Sequence, residues 1–218
     1  MLGAMTDVYL ESGSKRVFAC AVDWPGWCRS GKDEDAALEA LATAAPRYAL
    51  VAADAEVAFP ARAAARFEVV KRVPGSASTD FGVPGTVTSL DGRPITKAQA
   101  LRLLSLVAAS WRIFDGVAAG APAELRKGPR GGGRDRDAII DHVLGAEVAY
   151  ARKIGIRLSQ PALDDAVAIA AHRDAILDAL RSSTGAVEKG WPPRYAARRI
   201  AWHALDHAWE IEDRSPGR

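Results

Sequence analysis

Two rhythms of apolar and polar positions divide this chain. Up to about residue 73 the apolar runs are short and rich in β-branched and aromatic side chains. From Thr96 onward they recur at helical spacing. Asp7-Val-Tyr-Leu-Glu-Ser and Lys15-Arg-Val-Phe-Ala-Cys-Ala-Val-Asp flank Gly13 and predict a β-hairpin. Asp23-Trp-Pro-Gly-Trp reads as a Pro-Gly turn between large aromatics. Asp33 is placed to cap a helix opening Glu34-Asp-Ala-Ala-Leu, whose first-turn acids suit the positive end of the helix dipole. Pro46 ends or kinks that helix, and Arg66-Phe-Glu-Val-Val-Lys-Arg-Val predicts a further strand. Turn formers then crowd the stretch from Pro74 to Pro94, which reads as a linker or a wrapping loop over 76–95.

Four amphipathic helical runs follow. Thr96 caps the first, which turns Leu101, Leu104, Val107, Ala108, Trp111 and Phe114 inward and ends near Gly116 to Gly120. Asp137 to Ile154 is the second, stopped by Gly155; Leu163 to Leu180 is the third, with Gly185 beyond it. The fourth opens at Trp191-Pro-Pro, where prolines suit a first helical turn, and runs to Arg214 before Ser215-Pro-Gly. One side of it carries Ala196, Ile200, His203, Ala204, His207 and Ile211. Roughly opposite lie Trp202, Leu205 and Trp209. A helix apolar on two sides is sandwiched between partners. The expected fold is therefore an α+β module over 1–75, a connection over 76–95 and an all-α four-helix bundle over 96–218. Whether Trp202 and Trp209 face the first module or a second subunit is left open at this stage, so a homodimer is an admissible assembly.

Composition adds limits rather than direction. The 218 residues are 49% hydrophobic and 26% charged, as in ordinary globular proteins. A formal charge of +2 gives no reason to expect nucleic acid or a membrane surface, and no helix-turn-helix pattern is present. The first residues lack a signal-peptide pattern and no segment reads as long enough for a membrane span, so a cytoplasmic protein is expected. Cys20 and Cys28 form neither a disulfide framework nor a CxxC motif and read as buried, inert thiols. The Gly-rich run from Arg126 to Arg136 carries four arginines but matches no phosphate-loop spacing, and reads as a solvated connection.

The run Asp23-Trp-Pro-Gly-Trp-Cys-Arg-Ser-Gly-Lys-Asp-Glu-Asp-Ala-Ala-Leu resembles the signature of HicB-like domains. Those are small ββ(β)αβ units of partial RNase H-like fold. The resemblance covers roughly residues 7 to 72, with Asp33 where the family usually has Thr and Ala36 where it usually has Glu. It implies a fold and partner binding rather than catalysis. No acidic constellation able to hold magnesium accompanies it.

The chemistry-bearing residues lie in the second half. His203 and His207 stand four residues apart on one helix, a spacing that lets both rings approach one ion. Ala204 follows the first of them where a zincin would need Glu, so no general base for peptide hydrolysis is built in. His142, on the second helix beside Ile139, Ala146 and Ala149, supplies a third imidazole. Three neutral imidazoles with an open position describe a catalytic rather than a closed structural site. His172 has no spaced partner and is expected at the surface or satisfied locally. Glu210 is a candidate to orient a ligand imidazole, Glu147 reads as less exposed and needs an arginine or a ligand histidine as partner, and Tyr150 is a candidate to line the pocket. Asp206 reads as a helix charge paired with Arg199 or Arg198.

Asp141-His-Val-Leu-Gly-Ala-Glu-Val-Ala-Tyr together with Trp202-His-Ala-Leu-Asp-His resembles the DinB/YfiT-like family over roughly Thr96 to Arg214. The resemblance implies a four-helix bundle whose three histidines, here His142, His203 and His207, hold nickel or zinc. It also implies a metal-dependent hydrolase or thiol S-transferase acting on a small molecule, with a low-molecular-weight thiol as cosubstrate in the second case. The alternative expectation is a non-catalytic binding or regulatory protein whose HicB-like part recognises a partner and whose metal is structural or absent.

Overall fold

The computed structural model describes residues 5–128, 132–182 and 190–216. The N-terminal part is a mixed four-stranded sheet and the C-terminal part is helical. Strands β1 (Thr6–Ser12), β2 (Val17–Ala21), β3 (Cys28–Gly31) and β4 (Phe67–Pro74) lie in the order β3-β2-β1-β4. All neighbours are antiparallel except β1 and β4, which run parallel. A parallel pair needs a crossover. Here α1 (Glu34–Thr43) and α2 (Ala45–Asp54) supply it, and they cover one face of the sheet with Ala37, Leu41, Tyr48 and Val51. Pro46 does stop the first helix, but only to open the second, because at a helix start the missing N–H costs nothing.

The aromatic turn is the hinge pin of this module. Trp27 is fully buried, donates its indole N–H to the Leu41 carbonyl at 2.9 Å and stacks on Tyr48, whose hydroxyl donates to the Pro25 carbonyl at 2.8 Å. Between the tryptophans, Gly26 sits at φ +91°, and a Cβ there would come within 2.7 Å of the Leu205 side chain. Glycine is required on both counts.

The helical part comprises α4 (Lys97–Gly120), α5 (Arg136–Lys153), α6 (Ala166–Ser182) and α7 (Pro193–Arg214). Thr96 caps α4 through a reciprocal box with Gln99. By length and composition α4 is apolar enough to cross a membrane, which corrects the reading that no segment approaches that length. Its apolar side chains, among them Leu106, Val107, Trp111 and Phe114, are buried against the other helices.

Helix α7 settles what its second stripe faces. Trp202 packs edge-on against Phe18 at 6.2 Å, Leu205 meets Gly26, and the Arg29 guanidinium lies 3.8 Å over the Trp209 ring. The stripe therefore meets the sheet module of the same chain, and one core runs through both parts. The connection over 76–95 wraps this seam and contains a short helix, α3 (Ala77–Asp80). Buried Glu11 on β1 accepts from the Thr79 hydroxyl at 2.6 Å and from the backbone N–H of Gly85 and Thr86 at 3.0 Å each. Asp91 accepts from the Thr88 N–H at 2.7 Å and pairs with Arg198 of α7.

Cys20 and Cys28 are buried, as expected, but they are not free thiols. They face each other across β2 and β3 with 4.1 Å between Cα atoms and their sulfurs in bonding contact. The cysteines thus lend no weight to a reducing compartment.

Candidate metal centre

His142 projects from α5, and His203 and His207 from successive turns of α7, towards one volume between the two helices. The three rings offer one nitrogen each, and no two of these nitrogens are more than 4.8 Å apart. Nε2 of His142 lies 3.3 Å from Nε2 of His203. Four-coordinate zinc with nitrogens at about 2.0–2.1 Å sets them roughly 3.3 Å apart, so one edge of the triangle already has that length. His207 donates its Nδ1–H to the Glu210 carboxylate at 2.8 Å, and Glu210 also accepts from Arg214 at 2.6 Å. This leaves Nε2 of His207 as the nitrogen free to ligate.

The surroundings favour the neutral form of His203 and His142. Burial lowers the pKa of His203 well below its ordinary value, and the His207 ring and Arg199 reinforce the shift. Burial also lowers His142, with His207 and Arg134 acting in the same direction. Neutral imidazole is the form that binds a metal. The Tyr150 ring stands nearly perpendicular to His203 at 5.6 Å and packs on Trp191 at 5.1 Å, forming one wall.

Of the two partners expected for Glu147, the arginine is the one present. Its carboxylate accepts from Arg173 of α6 at 3.3 Å and lies 3.7 Å from Nε2 of His172. Arg173 also pairs with Asp115 of α4 at 2.7 Å. His172 is consequently buried between helices rather than at the surface. Asp206 pairs with Arg29 of β3 at 3.0 Å, not with Arg198 or Arg199. In the Gly-rich run, Pro129, Arg130 and Gly131 lie outside the described residues, as does Gly185. Arg126, at one end of that run, is tied to the end of α7: its backbone N–H donates to the Arg214 carbonyl at 2.9 Å.

Glu147 carries a pH prediction. Burial pushes its carboxyl up from 4.5 to about 7 against the pull of Arg173. The folded state therefore favours the protonated form. Its contribution is fully present below the ordinary pKa and is lost as pH rises through about 7. Stability of Glu147→Gln relative to the parent should rise by about 2–3 kcal/mol between pH 5 and pH 8, measured by urea unfolding at both. A constant difference across that range would refute the assignment.

From the sequence, Arg199 reads only as a partner for Asp206. It stands half-buried one turn before His203 on α7, and the i, i+4 spacing to a ligand candidate is the signal that could have placed it beside the cluster. Compared with known proteins, the chain matches no family model, no curated protein and no solved structure.

Proposed function

We propose that this chain is a metal-dependent enzyme of the DinB-like type. On this reading α4 to α7 are its four-helix bundle, and the sheet with α1 and α2 is a HicB-like module. The observation that carries the reading is the convergence of three imidazole nitrogens from two helices within 4.8 Å. Carboxylate and thiolate are absent from this donor set, which suits zinc or nickel better than magnesium or calcium. A divalent ion held there would supply Lewis acidity, lowering the pKa of a bound water or of a thiol cosubstrate.

The chain's own groups do the rest. Glu210 fixes the orientation of His207. Tyr150 and Trp191 close one side against solvent. His142, only half-buried, marks the open side where a small-molecule substrate enters. The reaction is accordingly a hydrolysis or a thiol transfer, with a low-molecular-weight thiol as the second substrate in the latter.

Metal analysis of untagged protein tests the proposal. About one nickel or zinc per chain is expected, with a coordination position open to exchangeable water. Protein that is metal-free after incubation with either ion, and equally stable without it, would overturn the enzyme in favour of a binding protein. Glu210→Gln should weaken metal binding about 10- to 100-fold in chelator competition, because His207 loses the partner that orients it. Unchanged affinity would remove Glu210 from the centre.

A further inference from the structure

Between Tyr195 and Ile211 every residue of α7 is buried except Arg199, Asp206 and Glu210. At about 100° per residue these three fall on one narrow line beside His203 and His207. Solvent, and hence any substrate, reaches the helix along that line. Two of its three charges are already balanced: Asp206 by Arg29, and Glu210 by Arg214.

Arg199 is different. Its guanidinium lies 4.6 Å over the Trp202 ring and 5.2 Å over the Tyr150 ring, held between two aromatic faces. Its Nη1 is buried and has no hydrogen-bond partner among the described residues, and the indole N–H of Trp202 is in the same condition. In the seam with the sheet, a small void walled by Tyr9, Cys20 and Cys28 on one side and by Tyr195, Arg198, Arg199 and Trp202 of α7 on the other has about 10 Å³ of space, enough for one water. A water can serve an N–H but brings no countercharge. Arg134, across the site, acts on His142 and His203 with a second positive charge.

Resting on the metal centre proposed above, we infer that Arg199 anchors an anionic group of the substrate, so that the site takes small molecules bearing a carboxylate. The carboxylate lies about one helical turn from the atom presented to the three histidines, roughly 5 Å along α7. Guanidinium suits this role because its planar fork matches a carboxylate and because it stacks on aromatic rings while remaining charged. Arg199 is thus a specificity-determining residue, not a ligand.

The test uses the full chain loaded with zinc and two thiol probes of similar size, 3-mercaptopropionate and neutral 2-mercaptoethanol, titrated by calorimetry. The acid should bind roughly 10- to 100-fold more tightly than the alcohol. Arg199→Gln should abolish that preference while leaving zinc stoichiometry and 2-mercaptoethanol affinity unchanged. Arg199→Lys, which keeps the charge but loses the fork, should restore part of it. Equal binding of the two probes, or a preference that survives in Arg199→Gln with full zinc, would overturn the anchor and leave the metal centre standing. A chain that holds no zinc would instead remove the centre, and the anchor with it.

Discussion

If the proposed centre holds a metal, replacing His203 by alanine should strip it while leaving the fold in place. His203 touches both other rings of a nearly even triangle: its Nε2 is 3.3 Å from that of His142, and its ring centroid is 4.7 Å from that of His207. Removing it leaves two imidazoles on different helices and no third donor of their kind within the cluster. The loss in affinity should exceed the roughly 100-fold that an orienting partner commands, since a bond is lost rather than its alignment. The cavity left behind is small, and it abolishes the burial of a polar ring. Stability without metal should therefore change by about 1 kcal/mol, the size of an ordinary point substitution. Metal analysis beside thermal unfolding of the metal-free proteins separates the two effects. Full metal occupancy in His203→Ala would contradict the ligand assignment.

The largest effect on stability is expected at Arg198. Its Nη2 donates to both oxygens of Asp91 at 2.8 Å, its Nη1 donates to the Tyr9 hydroxyl, and both members of the ion pair are buried. The pair ties α7 to β1 and to the connection over 76–95, so it holds the helical part against the sheet. Truncation to alanine leaves Asp91 charged and uncompensated inside the protein. Breaking a buried pair in this way costs about 3–5 kcal/mol. For a chain of this length that lowers Tm by roughly 6–20 °C. Replacing both partners, Arg198→Met with Asp91→Asn, should recover much of the loss, because the expense lies in the unpaired charge rather than in the missing attraction. A single variant as stable as the parent would mean that the seam is held by its apolar contacts alone.

Features that depend on local periodicity were legible in the chain, and features that depend on distant partners were not. The long helices announce themselves through apolar spacing and caps, so His203 and His207 could be placed on one face of α7 from their separation alone. Third strand β3 escaped because it is only four residues long, a buried Cys28 followed by three half-exposed positions, with no alternation to read. Helix α2 escaped because Pro46 looks like a stop, although it occupies the opening turn of a new helix. Pairing of Cys20 with Cys28 follows from the register of β2 on β3, which spacing cannot supply. Charged residues were the hardest to place. Arg173 beside His172 looks like surface until Glu147 and Asp115 arrive from two other helices. Arg198 looks like a helix charge until Asp91 reaches it from 107 positions away.

The central claim is that one ion sits between α5 and α7 on three imidazoles. Crystals of the untagged protein grown with nickel or zinc, measured at that metal's absorption edge, put the claim to the most direct test. An anomalous peak about 2.0–2.1 Å from a single nitrogen on each of His142, His203 and His207 is the predicted result. A map with no peak between the two helices, or with the metal bound by other residues, would contradict it.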